Sequence, residues 1–152
     1  MTESAEVLRR ERRIGELERL AQWIEEFGAR HLVVHRAIVD VELAVDELVT
    51  NTVTYGWSDD APHEIFVRQR LAAGHWIVEI EDDGRAFDPR SVPTPALDAP
   101  PDERPIGGLG IHLVRSVVDE LEYRREAGRN HVTLRKRVQR ENPSRTPSGA
   151  HT

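Results

Sequence analysis

Apolar residues recur along the chain with two different periods, and the change of period separates helices from strands. Spacings of three and four predict a helix over residues 14–27, ending near Gly28, and a second helix over residues 35–55. The same spacing predicts a third helix over residues 109–121. Each of these helices carries an apolar stripe that another layer of the fold has to cover.

Alternating apolar and polar residues predict strands at 7–10, 63–71, 75–80, 121–125 and 131–138. Short turns at residues 72–74 and at Gly128 join the last four of them into antiparallel hairpins. This order lacks the regular βαβ alternation of a doubly wound sheet. It predicts an α+β fold, a two-layer α/β sandwich in which the helices lie on one face of the sheet.

One long segment fits neither period. Residues 88–105 hold six of the nine prolines, and loops of this length inside a compact domain are usually functional or disordered. Further prolines and a glycine follow residue 138. They predict a disordered tail over residues 139–152, so the folded domain is expected to span residues 1–138.

Composition narrows the class of protein. A chain of 152 residues, 38% of them hydrophobic, has the size of one domain with one core. The formal net charge of -6 offers no broad basic field, so we expect no nucleic-acid binding. The chain contains no cysteine and no run of about 18 apolar residues. We therefore expect a cytoplasmic protein that does not bind membranes.

The second predicted helix carries two polar residues, Glu47 and Asn51, four positions apart. This spacing places both side chains on one side of the helix, about 40 degrees apart around its axis. A carboxylate beside a carboxamide oxygen suits a magnesium ion, or a general base with a partner that orients it. Taken alone, the pair is more typical of a solvated helix face.

Three acidic residues, Glu81, Asp82 and Asp83, lie where a predicted strand stops, and Gly84 follows them. Their mutual repulsion is costly unless some are exposed or meet a hydrogen-bond donor. An aspartate held at such a strand end can accept a hydrogen bond from the amino group of a base. An ordinary acidic turn closed by Gly84 is the alternative.

Glycines cluster immediately before the third predicted helix, at Gly107, Gly108 and Gly110, with Leu109 among them. Glycine lets backbone amides turn toward a ligand, and the helix N-terminus adds the positive end of its dipole. Together these features predict an anion site that suits phosphate. A flexible hinge leading into a helix is the alternative.

The order of the three motifs carries more information than any one of them. The series E-x-x-x-N, D-x-G-x-[GA], a proline-rich segment and G-x-G-x-x-L resembles the Bergerat-fold ATP-binding domain of the GHKL superfamily. Within it, the chain is most similar to the bacterial anti-sigma-factor serine/threonine kinases, through the strings VDELVTN (45–51), DGRAFDP (83–89) and GGLGIHLVR (107–115). The resemblance covers about residues 5–138 and implies a mixed, mostly antiparallel sheet.

The resemblance implies that the cofactors are ATP and Mg²⁺. Asn51 would hold the magnesium ion, and Glu47 would be the catalytic base or would position the acceptor hydroxyl. Residues 88–105 would form a lid over the nucleotide. The β- and γ-phosphates would bind the backbone amides around Gly107, Gly108, Leu109 and Gly110.

The resemblance implies that the purine binds at the D-x-G-x-[GA] motif, residues 82–86. Asp82 would accept a hydrogen bond from the adenine amino group, and Gly84 and Ala86 would shape the pocket. Two positions depart from the family pattern. Ala86 stands where glycine is usual, so its backbone has to avoid positive φ. Asn130 stands where a threonine commonly makes a second adenine contact, and its amide can still hydrogen-bond.

The same resemblance implies an anti-sigma-factor serine/threonine protein kinase. It would phosphorylate an anti-anti-sigma partner of the STAS type, sequester a sigma factor and form a homodimer. The two departures also motivate a different class of function, a nucleotide-gated regulatory binding module without kinase activity. ATP hydrolysis without a protein acceptor is a third possibility.

Overall fold

Five strands and three helices are present in the computed structural model, which describes residues 3–10, 13–93 and 108–141. They follow one another as β1 (Glu3–Arg9), α1 (Arg13–Arg30), α2 (His35–Tyr55), β2 (Glu64–Ala72), β3 (His75–Asp82), α3 (Gly108–Val117), β4 (Glu120–Glu126) and β5 (Arg129–Arg137). The predicted second helix and both predicted hairpins are confirmed to within two residues at their ends. None of the described helices is both long and apolar enough to cross a membrane.

The strands form one sheet in the order β1-β2-β3-β5-β4. Every pair of neighbouring strands among the described residues is antiparallel. The predicted α+β class is confirmed, whereas the expectation of a mixed sheet is wrong for these strands. The connection through α3 gives β4 the same direction as β3, but β5 lies between them, so no parallel pair forms.

Alternation along the strands explains why the helices lie on one face. Every second residue of β2 is buried, and the apolar ones, Ile65, Val67 and Leu71, share one core with the apolar stripe of α2. The opposite face of the sheet carries charged residues that are partly or fully exposed: Arg68, Glu79, Glu122, Arg124 and Arg135. One apolar face covered by helices and one solvated face are typical of antiparallel sheets.

The first helix continues past its predicted end at Gly28 and finishes at Arg30. Gly28 is buried within α1, where a Cβ atom would lie 2.7 Å from Cγ1 of Ile38 and 2.8 Å from Cη2 of Trp76. The glycine therefore permits close packing of α1 on α2 and β3. The prediction that the helix ends near Gly28 is wrong.

The third helix ends at Val117, four residues before its predicted end at Leu121. The amide of Asp119 already donates to the carbonyl oxygen of Arg135 at 2.9 Å, so the chain has joined the sheet. Leu121 lies in β4 opposite Leu134 and packs against the core. The position of Leu121 matches the helical spacing by coincidence, and its side chain packs into the core from the sheet.

The chain beyond β5 remains attached to the domain for four residues, 138–141. Val34 N donates to the carbonyl oxygen of Gln139 at 3.0 Å, and Val33 and Arg140 form an isolated antiparallel bridge. Residues 139–141 of the predicted tail thus pair with the connection between α1 and α2. Residues 142–152 lie outside the described residues.

The close packing at Gly28 predicts a large difference between two glycines of the same helix. Gly28→Ala gains about 1 kcal/mol of helix propensity but overpacks the core at a cost of roughly 1–3 kcal/mol, so we expect a net loss of stability. Gly15→Ala is the matched control, because nothing lies within 4 Å of a Cβ there. We expect it to stabilise the fold. Urea unfolding measures both, and equal gains would contradict the proposed packing.

Candidate functional site

The polar side of α2 and the first turn of α3 together line a surface cavity of about 140 Å³. The structure brings Glu47 and Asn51 into this cavity, with Thr50, Thr54, Tyr55, Gly110 and Ile111. Within the described part of the chain, neither Glu47 nor Asn51 has a side-chain hydrogen bond or an ion pair. Two polar side chains in one cavity are thus available to a ligand.

The closest approach between α2 and α3 occurs at Gly110. A Cβ atom there would overlap Oε2 of Glu47, so any side chain at this position would displace the carboxylate. The φ angle of Gly110 is not positive, so the absence of a side chain matters here for the position of Glu47 and not for the backbone conformation. This contact places the Glu47 carboxylate directly beside the start of α3.

The surroundings of Glu47 make its carboxylate a stronger base. Burial against α3 raises the pKa of Glu47, and the negative charge of Asp46 raises it further. A carboxyl group with a raised pKa accepts a proton more readily from a hydroxyl nearby. The position and the electrostatics of Glu47 both suit a general base.

The first turn of α3 supplies backbone donors next to this carboxylate. The helix begins at Gly108, and its first amides have no intrahelical partners. Leu109 is half exposed, at 51% of its full surface. The amides of Gly108, Leu109 and Gly110 together with the helix dipole suit an anion. Gly107 lies outside the described residues.

Asp82 ends β3 as a buried carboxylate with a relative exposure of 4%. Its Oδ1 accepts hydrogen bonds from Gly84 N at 2.9 Å and from Asn130 Nδ2 at 3.0 Å. Among the described residues, none donates a hydrogen bond to Oδ2. Burial raises the pKa of Asp82, and these two hydrogen bonds partly oppose that increase. A donor on a ligand could satisfy the second oxygen.

The loop after Asp82 is fastened to the end of α2. Arg85 N donates to Gly56 O at 2.8 Å, and Arg85 Nε donates to Tyr55 O at 2.6 Å. A Cβ atom on Gly84 would lie 2.9 Å from both Gly56 O and Asp82 Oδ1, so only glycine fits there. Ala86 does not have positive φ, which is what its side chain requires.

The start of the predicted lid is held by α3. Residues Pro89–Ser91 form a 3₁₀ turn, whose first amide is capped by the Asp88 carboxylate. Arg115 donates from Nη1 to Arg90 O at 3.2 Å and from Nη2 to Val92 O at 2.5 Å. Residues 94–105 of the lid lie outside the described residues. Arg115 thus connects α3, the helix that begins with the glycines, to the loop that follows the Asp82 motif.

Sequence reasoning missed three residues that contact the site, namely Arg115, Tyr123 and Arg125. The hydroxyl of Tyr123 and Nη1 of Arg125 both donate to Asn130 Oδ1, at 2.7 and 2.9 Å. Alternation along β4 could have indicated these two, because they share the face of Leu121. An arginine such as Arg125, on the face of the strand that the helices cover, indicates that a hydrogen-bond acceptor lies nearby. Nothing in the helical pattern marked Arg115.

The fold is a small two-layer domain, with a candidate ligand cavity between α2 and α3 and a second cluster of polar residues at the end of β3. The sequence pattern of the histidine kinase-like ATPase domain matches residues 11–136. Because this match covers most of the chain, the protein belongs to the family of histidine kinase-like ATPase domains.

Curated relatives with related sequences are named as protein kinases. Serine/threonine-protein kinase BtrW of Bordetella bronchiseptica is 30% identical over 112 residues, which are 74% of this chain and 79% of BtrW. Serine-protein kinase RsbW of Oceanobacillus iheyensis is 26% identical over 99 residues, 62% of each chain. RsbW of Bacillus thuringiensis is 28% identical over 108 residues, 68% of this chain and 66% of that protein.

A solved structure shows the same fold in a larger protein. The RsbU and RsbW domains of Rv1364c from Mycobacterium tuberculosis superpose with a TM-score of 0.67 at 21% identity. The match covers 93% of this chain and 34% of that chain. These findings confirm the resemblance to the GHKL superfamily and to its anti-sigma kinase branch. The roles of individual residues remain predictions.

The buried carboxylate of Asp82 leads to a prediction about stability. The pKa of Asp82 is higher in the folded protein than in the unfolded chain, so the folded state favours the protonated carboxyl group. The free energy of unfolding therefore falls as the pH rises from the unfolded pKa to the folded pKa, and it remains lower at neutral pH. We expect Asp82→Asn to raise the midpoint of thermal unfolding at pH 7, with a gain that shrinks toward acid pH. Asp60→Asn, at an exposed position, is the control and should leave the midpoint unchanged. A gain independent of pH would contradict this assignment.

Proposed function

We propose that this chain is an ATP-dependent serine/threonine protein kinase of the anti-sigma-factor type. It binds Mg-ATP and transfers the γ-phosphoryl group to a serine or threonine of an anti-anti-sigma partner with a STAS domain. The observation that carries the proposal is the contact of Glu47 with Gly110, because it puts a base, a metal ligand and phosphate-binding amides side by side. The kinase names of BtrW and RsbW support the same reaction.

The donor set of the cavity fits a magnesium ion. Magnesium prefers oxygen ligands and is usually bound by one or two protein groups together with substrate phosphates. Asn51 offers a carboxamide oxygen that is free of hydrogen bonds to other described residues. No three His, Cys, Asp or Glu side chains within the described ranges form a metal-binding group, which agrees with a site completed by phosphates. When bound, the ion would neutralise charge on the transferring phosphoryl group.

The phosphate end of the nucleotide would lie at the start of α3. Its free amides and its dipole point to negative charge, and Gly110 allows the phosphates to come close to Glu47. At the other end, Asp82 Oδ2 would accept a hydrogen bond from the adenine amino group. Gly84 would shape this part of the pocket, because its loop is held against the end of α2.

The transfer step then uses Glu47 as the base. Its carboxylate accepts the proton of the acceptor hydroxyl as the hydroxyl oxygen forms a bond to the γ-phosphorus. The bond from the γ-phosphorus to the bridging oxygen breaks, and ADP leaves with that oxygen. Burial makes the carboxylate more basic, and the amides of α3 stabilise the charge on the phosphoryl oxygens.

The proposed partners follow from the anti-sigma assignment. The unphosphorylated STAS protein and a sigma factor would compete for this chain, which would act in the cytoplasm as a homodimer. A regulatory module that binds nucleotide without transferring phosphate would use the same partners. Substitution of Glu47 separates these functions, because the module needs only binding.

Glu47→Gln tests the kinase directly. The amide keeps the size of the side chain but accepts no proton, so transfer should fall by roughly 10²–10⁴-fold while ATP binding persists. The measurements are transfer of labelled phosphate to a STAS-domain protein of the same genome and calorimetry with Mg-ATP. Unchanged transfer would exclude Glu47 as the base. Release of inorganic phosphate without a labelled acceptor would favour simple ATP hydrolysis.

Asp46→Asn serves as the matched variant and yields a prediction of its own. Asp46 raises the pKa of Glu47, so removal of its charge lowers that pKa. The transfer rate should fall on acidification as Glu47 becomes protonated. In Asp46→Asn this fall should therefore occur at lower pH than in the wild type. A pH profile of single-turnover transfer measures it, and a shift to higher pH would contradict the assignment of Glu47.

A further inference from the structure

Asn130 lies on β5 directly opposite Asp82 and is buried, with a relative exposure of 4%. The resemblance implied that its side chain contacts adenine. Its amide group is instead surrounded by protein groups on both sides. The number and the direction of these hydrogen bonds decide what the residue can do.

The nitrogen of the Asn130 amide is fully used by acceptors. Nδ2 donates to Asp82 Oδ1 at 3.0 Å and to the carbonyl oxygen of Arg85 at 2.8 Å, with a longer contact of 3.4 Å to the carbonyl oxygen of Gly84. An amide nitrogen has two hydrogens. The two short bonds therefore account for both of them.

The oxygen of the same amide is equally occupied. Oδ1 accepts from the Tyr123 hydroxyl at 2.7 Å and from Arg125 Nη1 at 2.9 Å, and Phe87 N lies 3.4 Å away. A carbonyl oxygen has two lone pairs, which these donors fill. Because all partners of Oδ1 are donors and all partners of Nδ2 are acceptors, the orientation of the amide is fixed by its surroundings.

Asn130 therefore has no hydrogen bond left for a ligand, and its effect has to pass through Asp82. We propose that Asn130 is a positioning residue that creates the preference for a 6-amino purine by holding Asp82 in one orientation. This inference rests on the proposed binding of a purine triphosphate at this site. Asn130 and Gly84 N both bind Oδ1, which leaves Oδ2 as the acceptor that faces the ligand.

The chemistry of the purine edge explains why orientation matters. A 6-amino group donates to Oδ2, whereas a 6-oxo group would place a second acceptor against the carboxylate. A site whose acceptor receives no hydrogen bond from the described part of the protein discriminates against ligands that cannot supply the donor. If the Asp82 side chain were free to rotate, the site would distinguish 6-amino purines from other purines less well.

The network around Asn130 also connects the sheet to the loop of the Asp82 motif. Arg125 Nη1 donates to the carbonyl oxygen of Gly84 at 2.8 Å as well as to Asn130 Oδ1. Tyr123 and Arg125 of the edge strand β4 thus hold the side chain of Asn130, which in turn holds Asp82. These two residues are further from the ligand and act on it only through Asn130 and the loop.

The test compares two nucleotides that differ only in the 6-amino group, ATP and purine riboside triphosphate. Magnesium is present, and calorimetry measures both affinities. The wild type should bind ATP about tenfold more tightly or better, since a hydrogen bond to a charged group is at stake. In Asn130→Ala the affinity for ATP should fall by about the same factor, while that for purine riboside triphosphate changes by less than about twofold. The ratio of the two affinities should then approach one.

The control variant is Thr133→Ala, on the same strand but on the opposite face of the sheet, and it should leave both affinities unchanged. Equal losses for both nucleotides in Asn130→Ala would overturn the proposal, because a purely structural role does not distinguish them. If the wild type binds neither nucleotide, the proposed function itself fails. Binding of ATP by the wild type together with equal losses in the variant would reject only the positioning role.

A second variant keeps the proposal testable should Asn130→Ala fail to fold. Asp82→Asn is expected to fold, and the donors Gly84 N and Asn130 Nδ2 would hold its amide oxygen at the position of Oδ1. The amide nitrogen would then face the purine, so the preference should change from ATP to inosine triphosphate, which carries a 6-oxo group. An unchanged preference for ATP would show that the side chain at position 82 is not held in this orientation.

Discussion

A carboxylate buried at the end of the central strand is the constraint on which the candidate site depends. Removing an ionised aspartate from water is costly, and the pKa of Asp82 is raised by its burial. The fold offsets part of this cost with hydrogen bonds from Gly84 N and Asn130 Nδ2 to the same oxygen. The other oxygen keeps its capacity to accept. The proposed role of Asp82 in ligand selection therefore opposes the stability of the fold at this residue.

The contact between α2 and α3 is the second constraint, and it brings the two ends of the site together. Gly110 lets α3 lie against Glu47, while Arg115 in the same helix holds the carbonyl oxygens of Arg90 and Val92. A helix of ten residues thus carries the amides proposed to bind phosphate and also holds the loop that follows the Asp82 motif. A movement of α3 would alter both parts of the site at once.

Most of the fold could be predicted because periodic patterns report which face of an element is buried. The helix α2 and both hairpins follow from such patterns. The two errors in helix length have a common cause, which is that one residue type serves two purposes. Gly28 looks like a helix end but permits close packing, and Leu121 continues a helical spacing but belongs to the sheet core. Spacing along one segment contains no information about what packs against it.

The sequence by itself determined the family, the order of the motifs and the residue types that the site needs, because chemistry at a ligand restricts residue identity at fixed spacings. Only the tertiary structure decided what Asn130 contacts, since its six partners come from β3, β4 and the loop after β3. It also decided that a side chain at position 110 would displace the carboxylate of Glu47. Hydrogen-bond saturation and close approach are properties of several segments together, and these segments meet only when the chain has folded.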